Sequence, residues 1–253
     1  MVHIILTGAT GLVGSAVLAQ LLHSTTITRV SILSRRPIAT TEGHKKANVI
    51  IQSDYSTYPQ SVIDQLQDAD GCIWAQGKTS VGMAEKEYTE LTHDWPLAAA
   101  KAFVEVKGKD STSSSGGRFN FVYVSGEGAD QTQKARAMFG RIKGRAEKDL
   151  VDLAGSAESA KLDVYNSRPA GIDWSGSAAK PDHRVVSFPE RFANWMYPAV
   201  KLFAPKWHTP VDSLAKVAID LASGDGKPLK AEAGVEADGR TIGNVAIRRL
   251  AGL

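Results

Sequence analysis

The sequence predicts a doubly wound α/β fold, in which a parallel β-sheet carries helices on both faces. Three observations support this prediction. Strand-like and helix-like segments alternate over the first 170 residues. The chain opens with an apolar strand that passes through a glycine-rich turn into a helix. The 253 residues, 43% of them hydrophobic and 23% charged, are enough for one domain with an ordinary core.

The first strand, over residues 2–7, leads through a turn into the first helix, over 12–23. In a turn of this kind the first glycine (Gly8) permits a sharp bend, and the second (Gly11) leaves room for a pyrophosphate. The third, Gly14, lets the helix pack closely. The amides and the positive dipole end of the helix then face the phosphates, so the turn predicts a dinucleotide site. The predicted contacts are Gly8, Thr10, Gly11, Leu12, Val13 and Gly14.

The end of the second strand indicates which dinucleotide is preferred. This strand covers residues 29–33 and is followed by Ser34, Arg35 and Arg36. An acidic residue here would bind the ribose hydroxyls of NAD. Arginine cannot accept a hydrogen bond, but it can grip a 2′-phosphate. We therefore predict NADP(H) as the cofactor, the alternative being that both arginines are solvated surface residues.

Further candidate cofactor residues follow the third and fourth strands. Asp54 lies near the expected adenine edge, where its carboxylate would accept a hydrogen bond from the exocyclic amine. Aspartate is also common as a helix cap or turn residue, which is the alternative here. Ala75, Gln76 and Gly77 lie close to the expected nicotinamide half, where small residues let the backbone approach the cofactor.

The rest of the alternation follows from periodicity. Short apolar runs bounded by turn residues predict strands, and longer segments with apolar residues three and four apart predict helices. A polar loop over 107–117 interrupts this pattern without marking a domain boundary. The remaining predicted elements are strands over 47–51, 71–75, 119–124 and 162–166 and helices over 59–67, 85–106 and 133–154.

The regular alternation is expected to end after residue 170, where prolines break the chain into short pieces. We predict a single domain over 1–253, with a dinucleotide-binding Rossmann core over 1–170 and a small substrate-capping region over 171–253. The alternatives for the second part are a satellite apolar core or, over 191–201, a membrane-surface helix. Its large apolar residues are Phe188, Phe192, Trp195, Met196, Tyr197, Leu202, Phe203 and Trp207.

Composition excludes several classes of function. A formal net charge of +3 without a basic run does not indicate a nucleic-acid partner. The single cysteine, Cys72, cannot form a disulfide within the chain and fits a reducing compartment, so the cytoplasm is expected. No apolar run of about 18 residues predicts a membrane span. The histidines lack the spacing of metal ligands, so no metal site is predicted.

Several segments resemble those of the short-chain dehydrogenase/reductase superfamily, and more narrowly its extended and atypical, epimerase-like and Tat-interacting-protein-like members. They occur in the family's order and cover nearly the whole chain, with the last third matched only loosely. The glycine turn is the most specific of them. The matching segments are Thr7–Gly14, Asp54, Val122–Ser125, Lys143, Arg168–Gly171 and Thr209–Ala215.

The resemblance implies a serine at the end of strand five and a Tyr-x-x-x-Lys pair on the next helix. In the family, the tyrosine exchanges a proton with the substrate oxygen, while the lysine holds the nicotinamide ribose and lowers the tyrosine pKa. Residues four apart share one helix face, so both can point at the same ribose. Ser125 and Lys143 match these catalytic positions, but Phe139 stands at the tyrosine position. Phenylalanine has no ionisable proton, and it also fits an apolar core stripe of its helix.

No other residue replaces the tyrosine by its spacing. If Ser125 faces the pocket, Tyr123 lies on the same side of the strand, two residues deeper. The histidines are possible proton carriers near neutral pH. The further candidates without a spacing argument are Tyr88, Tyr165, His93, His183 and His208.

Three functions stay open on the sequence. The first is an NADP-dependent oxidoreductase acting on a small, largely apolar carbonyl or enone substrate, with Ser125 polarising the substrate oxygen. The second is an NADP(H)-binding protein with little redox turnover, acting as a regulator or sensor. The third is an isomerase, lyase or cyclase that reuses the pocket, since a fold does not fix its chemistry. We expect a small-molecule substrate and a monomer or homodimer.

Overall fold

A computed structural model of the protein describes residues 2–106, 117–179, 207–236 and 238–253. Within these ranges the fold is a Rossmann-like doubly wound sheet, as predicted. The strands are β1 (Val2–Thr7), β2 (Ile27–Ser34), β3 (Ala47–Ile51), β4 (Gly71–Trp74), β5 (Phe119–Val124), β6 (Leu162–Arg168), β7 (Gly171–Asp173), β8 (His208–Pro210) and β9 (Thr241–Gly243).

Seven of these strands form one parallel sheet in the order β3-β2-β1-β4-β5-β6-β9. The remaining two, β7 and β8, pair in parallel as a separate small sheet. Because the order reverses between β1 and β4, a crevice forms there at the carboxyl ends of the strands, where ligands bind in open α/β sheets.

Helices cover both faces of the sheet, because successive strand residues point to opposite faces. Ile4 and Leu6 belong to the apolar core on one face, and Ile5 and Cys72 belong to the core on the other. All four side chains are fully buried. The helices of the described residues are α1 (Leu12–His23), α2 (Gln60–Ile63), α3 (Glu85–Thr89), α4 (Trp95–Val104), α5 (Met138–Ala154), α6 (Val211–Ala222) and α7 (Asn244–Ala251).

The helix predicted over 85–106 is not continuous: α3 and α4 are separated by a π-helical turn, Glu90–Asp94. Pro96 explains the change, because it has no N–H to donate to the carbonyl of Thr92 four residues earlier. That carbonyl instead accepts a hydrogen bond from the Tyr123 hydroxyl of β5, at 2.9 Å. A helical segment nevertheless runs from Glu85 to Val104, close to the predicted bounds, and only the π-helical turn inside it was not predicted.

The helix predicted over 133–154 begins later, at Met138. The preceding residues form a turn around Asp130, whose carboxylate accepts hydrogen bonds from the amides of Thr132 and Lys134, both at 2.9 Å. Aspartate competes with helix formation in this way because its short side chain satisfies nearby backbone donors.

The alternation does not end at residue 170, as the sequence pattern had suggested. Helix α6 packs against α1 on one face of the sheet, and β9 pairs with β6 as the seventh strand. The period of α6 is readable in the sequence, since its buried residues recur at helical spacing. The cluster of prolines before it masked that signal.

The predicted capping residues fall mainly outside the described residues, and so does His183. Trp207 is within them, and 76% of its surface is exposed. The expectation that an aromatic region caps the site therefore stays a prediction. Over the parts of the chain that the structure describes, no helix combines the length and apolar character that crossing a bilayer requires.

Candidate functional site

A cavity of about 480 Å³ opens at the carboxyl ends of β1, β2 and β4, where the strand order reverses. Residues from three separate loops meet there. The predicted residues that line it are Gly8, Thr10, Gly11, Ser34, Arg35, Arg36, Ala75, Gln76 and Gly77.

Gly8 and Gly14 of the glycine turn pack tightly against the backbone of the protein, whereas Gly11 faces the cavity. Gly8 has φ +70°, and a Cβ on it would lie 2.5 Å from the Ala75 carbonyl oxygen. A Cβ on Gly14 would lie 2.0 Å from the carbonyl oxygen of Gly8, so α1 can approach the turn only without one. A Cβ on Gly11 would meet only the Gly8 carbonyl oxygen within 4 Å, at 3.2 Å.

The amino end of α1 carries no anionic cap of its own. Gly11 is the N-cap residue and makes no side-chain hydrogen bond, and the first turn contains no acidic residue. The amides of this turn, which include those of Leu12 and Val13, have no partner within the helix. Backbone amides that have no acceptor within the helix, together with the positive end of the helix dipole, fit a diphosphate.

The two arginines after β2 lie exposed along the same cavity. Ser34 holds the chain in a tight turn, because its hydroxyl donates to the Arg36 carbonyl at 2.7 Å and accepts from the Arg36 amide at 3.3 Å. The Ser34 side chain is therefore part of the turn that presents Arg35 and Arg36.

Asp54 does not line this cavity. Its carboxylate accepts hydrogen bonds from the Ser56 amide at 2.8 Å and the Ser56 hydroxyl at 2.6 Å. These bonds hold the pKa of Asp54 below its usual value. The arrangement is a turn, as the alternative interpretation expected, and the adenine contact stays a prediction.

Sequence reasoning missed an aromatic wall of the cavity. Tyr55 and Trp95 both line it, with ring centroids 5.4 Å apart. The Tyr55 hydroxyl donates to the Leu33 carbonyl at 3.1 Å, and burial raises the pKa of Tyr55 to about 12 although Arg35 opposes the shift. Glu87 and Glu90 also line the cavity. The sequence analysis did not identify them, because their pattern is typical of exposed helix residues.

The structure brings Ser125 and Lys143 together at the end of β5. The Nζ of Lys143 donates to the backbone carbonyls of Ser125 at 2.8 Å and Val124 at 3.2 Å. The Ser125 hydroxyl is buried and has no hydrogen-bond partner within the described ranges. A buried hydroxyl without a partner is costly, so it fits a site that a ligand oxygen completes.

Phe139 lies in the first turn of α5, half-buried at the same site. Its ring centroid is 5.5 Å from the Nζ of Lys143, and its Cζ lies 3.0 Å from where a Cβ on Gly126 would be. The ring therefore packs over the loop that follows β5, beside Lys143.

A buried ion pair anchors α5 behind this site, and the sequence analysis did not identify it. Glu147 is fully buried one turn beyond Lys143, and the Nε of Arg168 lies 2.9 and 3.0 Å from its two carboxylate oxygens. Gln131 donates to the same carboxylate at 3.2 Å. Removing one member of such a pair leaves an uncompensated buried charge, so the contact fixes α5 to the end of β6.

The candidate replacements for the tyrosine are bound elsewhere. The Tyr123 hydroxyl donates to Thr92, and burial raises its pKa. The Tyr165 hydroxyl donates to the Lys227 carbonyl at 2.7 Å. Both ring nitrogens of His93 contact carboxylates, those of Asp94 at 2.6 Å and Asp149 at 2.8 Å.

Two further candidates are Tyr88, which is fully buried, and His208, which lines another cavity. Tyr88 is fully buried in α3, and its pKa is raised by that burial. His208 lines a different cavity of about 380 Å³ near Asp212 and Arg248. Within the described residues, Lys143 donates a side-chain hydrogen bond to the Ser125 carbonyl, whereas Tyr123 contacts the Ser125 amide only through its backbone carbonyl, at 3.1 Å.

Three curated proteins from fungi are similar in sequence. The chain is 34% identical to leucinostatins biosynthesis cluster protein T of Purpureocillium lilacinum, over 97% of this chain and 94% of that protein. It is 33% identical to botcinic acid biosynthesis cluster B protein 16 of Botryotinia fuckeliana, over 62% and 98%. It is 26% identical to protein fmp52, mitochondrial, of Emericella nidulans, over 87% of each. No protein-family model matches the chain.

Solved structures share the fold at low sequence identity. An oxidoreductase of the short-chain dehydrogenase/reductase family from Burkholderia thailandensis superposes with a TM-score of 0.65 at 16% identity, over 99% of this chain and 93% of that one. The Bordetella bronchiseptica enzyme WbmF, solved in complex with NAD+, superposes with a TM-score of 0.63 at 13% identity, over 99% and 78%. These likenesses concern the fold.

Proposed function

The chain belongs to the same family as leucinostatins biosynthesis cluster protein T and shares the fold of short-chain dehydrogenases/reductases, and we propose that it is an NADP-dependent oxidoreductase of the short-chain dehydrogenase/reductase superfamily. Its substrate is a small, largely apolar carbonyl or enone compound. One observation carries the cofactor proposal: Arg35 and Arg36 line the same cavity as the uncapped amino end of α1. That combination provides separate positive ends for a diphosphate and for a 2′-phosphate.

The residues present fit a bound NADPH. The turn from Gly8 to Gly14 would hold the diphosphate, and Arg35 and Arg36 the phosphorylated adenosine. Ala75, Gln76 and Gly77 would border the nicotinamide end. The ribose contact of Lys143 that the family resemblance implies stays a prediction, and the proposed NADPH site does not depend on it. When bound, the cofactor supplies hydride to an electrophilic carbon.

Ser125 binds and polarises the substrate oxygen. Its hydroxyl is buried at the end of β5 without a partner among the described residues, so a carbonyl oxygen can accept its proton in a hydrogen bond. A hydrogen bond in a buried site is electrostatically stronger than in water and polarises the carbonyl.

The proposed substrate class has two supports. The names of two similar proteins refer to the biosynthesis clusters of leucinostatins and of botcinic acid. The aromatic residues between 188 and 207 would line an apolar pocket in the predicted capping region. We propose the cytoplasm as the compartment, on the single buried cysteine, although the similar fmp52 proteins are named mitochondrial; subcellular fractionation decides between the two.

Fluorescence titration with NADPH and NADH tests the cofactor proposal. We expect NADPH to bind more tightly, and Arg35→Ala or Arg36→Ala to weaken NADPH binding about tenfold or more while leaving NADH nearly unchanged. A hydrogen bond to a charged group contributes about 1.5–3 kcal/mol, which corresponds to that loss. Arg29→Ala, at the opposite end of β2, is the control and should bind both cofactors as the parent protein does. Tighter binding of NADH would contradict the proposal.

Turnover is tested with NADPH and a panel of aromatic and aliphatic aldehydes, ketones and enones, followed by absorbance of the reduced nicotinamide. Oxidation of NADPH with any member supports the oxidoreductase. Binding without turnover on the whole panel would favour the sensor or the non-redox enzyme instead. Absence of binding would remove the cofactor proposal altogether.

A further inference from the structure

Carbonyl reduction requires a proton for the oxygen as well as a hydride for the carbon. The family's tyrosine is absent here, since Phe139 occupies its place beside Lys143. Tyr123 and His93, the nearest candidates from the sequence, already bind Thr92 and two aspartates. Another group at the end of β5 must therefore release the proton.

We propose that the ammonium group of Lys143 is itself the proton donor to the substrate oxygen bound at Ser125. This inference rests on the proposed function. In the reaction the carbonyl carbon gains the hydride that bound NADPH supplies, and the oxygen gains one proton from Nζ of Lys143. The neutral amine then takes a proton from water, which restores the ammonium.

The contacts of Lys143 leave one of its protons for this step. Nζ carries three protons, and two are directed to the carbonyls of Ser125 and Val124. No carboxylate forms a salt bridge with Nζ within the described residues. The same amine lies 5.5 Å from the centroid of Phe139 and 5.8 Å from that of Tyr123. The third proton therefore has no carboxylate partner among the described residues, and the Nζ that carries it lies beside the Ser125 backbone and two aromatic rings.

The charges around Lys143 favour release of the proton near neutral pH. Burial lowers the pKa of Lys143 to about 8, and the carboxylate of Glu147 only partly opposes this shift. Glu147 is already bound by Arg168 and Gln131, so its charge is largely compensated. The Tyr123 hydroxyl faces Thr92 and stays neutral. A donor is most efficient when its pKa lies near the operating pH.

The first test measures the amine without any reaction of the cofactor. The rate of trace acetylation of Lys143 by acetic anhydride is followed against pH by peptide mass spectrometry in the intact protein. We expect a midpoint near pH 8, whereas the exposed Lys148 on the same helix should show a higher midpoint. A midpoint for Lys143 near the ordinary value of about 10.5 would overturn the proposal.

The second test separates proton donation from cofactor binding. Lys143→Arg keeps the positive charge and the donors but does not release a proton at these pH values. We expect its affinity for NADPH to stay within about threefold of the parent and its kcat to fall about 100-fold, the usual contribution of a general acid. Lys148→Arg should leave both unchanged. An unchanged kcat in Lys143→Arg would show that Lys143 only positions other groups.

The pH profile completes the test. In the reducing direction the charged form of Lys143 is required, so kcat of the parent protein should fall as the pH rises through about 8. This break should be absent in Lys143→Arg. Trapping of a covalent adduct by borohydride with an aldehyde of the panel would overturn the proposal, because it would make Lys143 a nucleophile. Failure of the parent to bind NADPH would remove the proposed function, whereas the acetylation midpoint addresses the lysine alone.

Discussion

Phe139 shows how one residue changes the chemistry that a fold can carry. Its ring lies in the first turn of α5, with its centroid 5.5 Å from the Nζ of Lys143 and its edge over Gly126. A phenylalanine there packs beside the ammonium group of the lysine, but it offers no proton. The neighbouring residues Ser125 and Lys143 retain the positions that the family resemblance implied.

Phe139→Tyr is therefore expected to add a second proton donor to the site. The new hydroxyl would lie beside Lys143, whose charge lowers the pKa of a nearby phenol. We expect kcat/KM for carbonyl reduction to rise at least about tenfold, measured by NADPH oxidation with the carbonyl panel.

Phe139→Leu is the matched control for this substitution, because it changes the ring without adding a hydroxyl. It should not raise kcat/KM. If Phe139→Tyr gains nothing although it folds and binds NADPH, then Ser125 and Lys143 are not arranged for the family's reaction.

At the scale of an element, α1 and the turn before it form one unit. Gly14 is needed because α1 passes so close to the turn that a Cβ would lie 2.0 Å from the Gly8 carbonyl oxygen. Gly11 is needed for a different reason, since a Cβ there would meet the protein only at 3.2 Å and would extend into the cradle. We therefore expect stability and the proposed cofactor binding to depend on different glycines of the same turn.

Gly14→Ala and Gly11→Ala should separate these two effects. Overpacking costs about 1–3 kcal/mol, and we expect Gly14→Ala to reduce the free energy of unfolding by that amount because a backbone carbonyl must move. Gly11→Ala should keep most of the stability but weaken NADPH binding at least about tenfold. Urea denaturation and fluorescence titration measure the two quantities.

The control is Gly176→Ala, at a position where a Cβ would meet nothing within 4 Å. It should leave the free energy of unfolding unchanged. Full stability in Gly14→Ala would mean that the approach of α1 to its turn is looser than the structure shows.

In a second element, the segment from α3 to α4, a proline frees a helix carbonyl to bind a residue of the sheet. Pro96 leaves the Thr92 carbonyl without an intrahelical donor, and Tyr123 of β5 supplies the missing hydrogen bond. His93, in the same π-helical turn, bridges Asp94 and Asp149 of α5. The turn is thus fixed to both the sheet and α5, next to the wall of the cavity.

At the scale of the whole molecule, both ends of the described chain contribute to one sheet. Strand β1 lies in the interior of the sheet and β9 at its edge, and α6 packs against α1. The cavity lies between elements that are far apart in sequence but rigidly joined through this sheet. A ligand in that cavity therefore stabilises the folded molecule as a unit, since the unfolded chain has no such site.

We expect NADPH at 100 times its dissociation constant to stabilise the protein by about 2.7 kcal/mol. For a chain of this length, each kcal/mol raises Tm by about 2–4 °C, so the expected increase is about 5–10 °C. Differential scanning calorimetry with NADPH and NADH at equal concentrations measures it. NADH should give a smaller increase, and a larger one with NADH would contradict the assignment of Arg35 and Arg36.

Residue patterns along the chain were enough to predict the doubly wound sheet and the glycine turn that opens onto the cavity. Both depend on local patterns: a run of apolar residues defines a buried strand, and glycines at fixed intervals define the turn. The two arginines after β2 were found for the same reason, because the strand carries them to a known edge of the sheet.

Which side chains lie in contact follows from the packing of segments that are distant in the sequence. The pairing of Glu147 with Arg168, the aromatic wall of Tyr55 and Trp95, and the turn role of Asp54 depend on contacts that no local period records. The same holds for Lys143. The sequence predicted its position on a helix, but its burial and its carbonyl partners arise where α5 meets the end of β5. Burial and charge are properties of the assembled chain, and so is the chemistry that they permit.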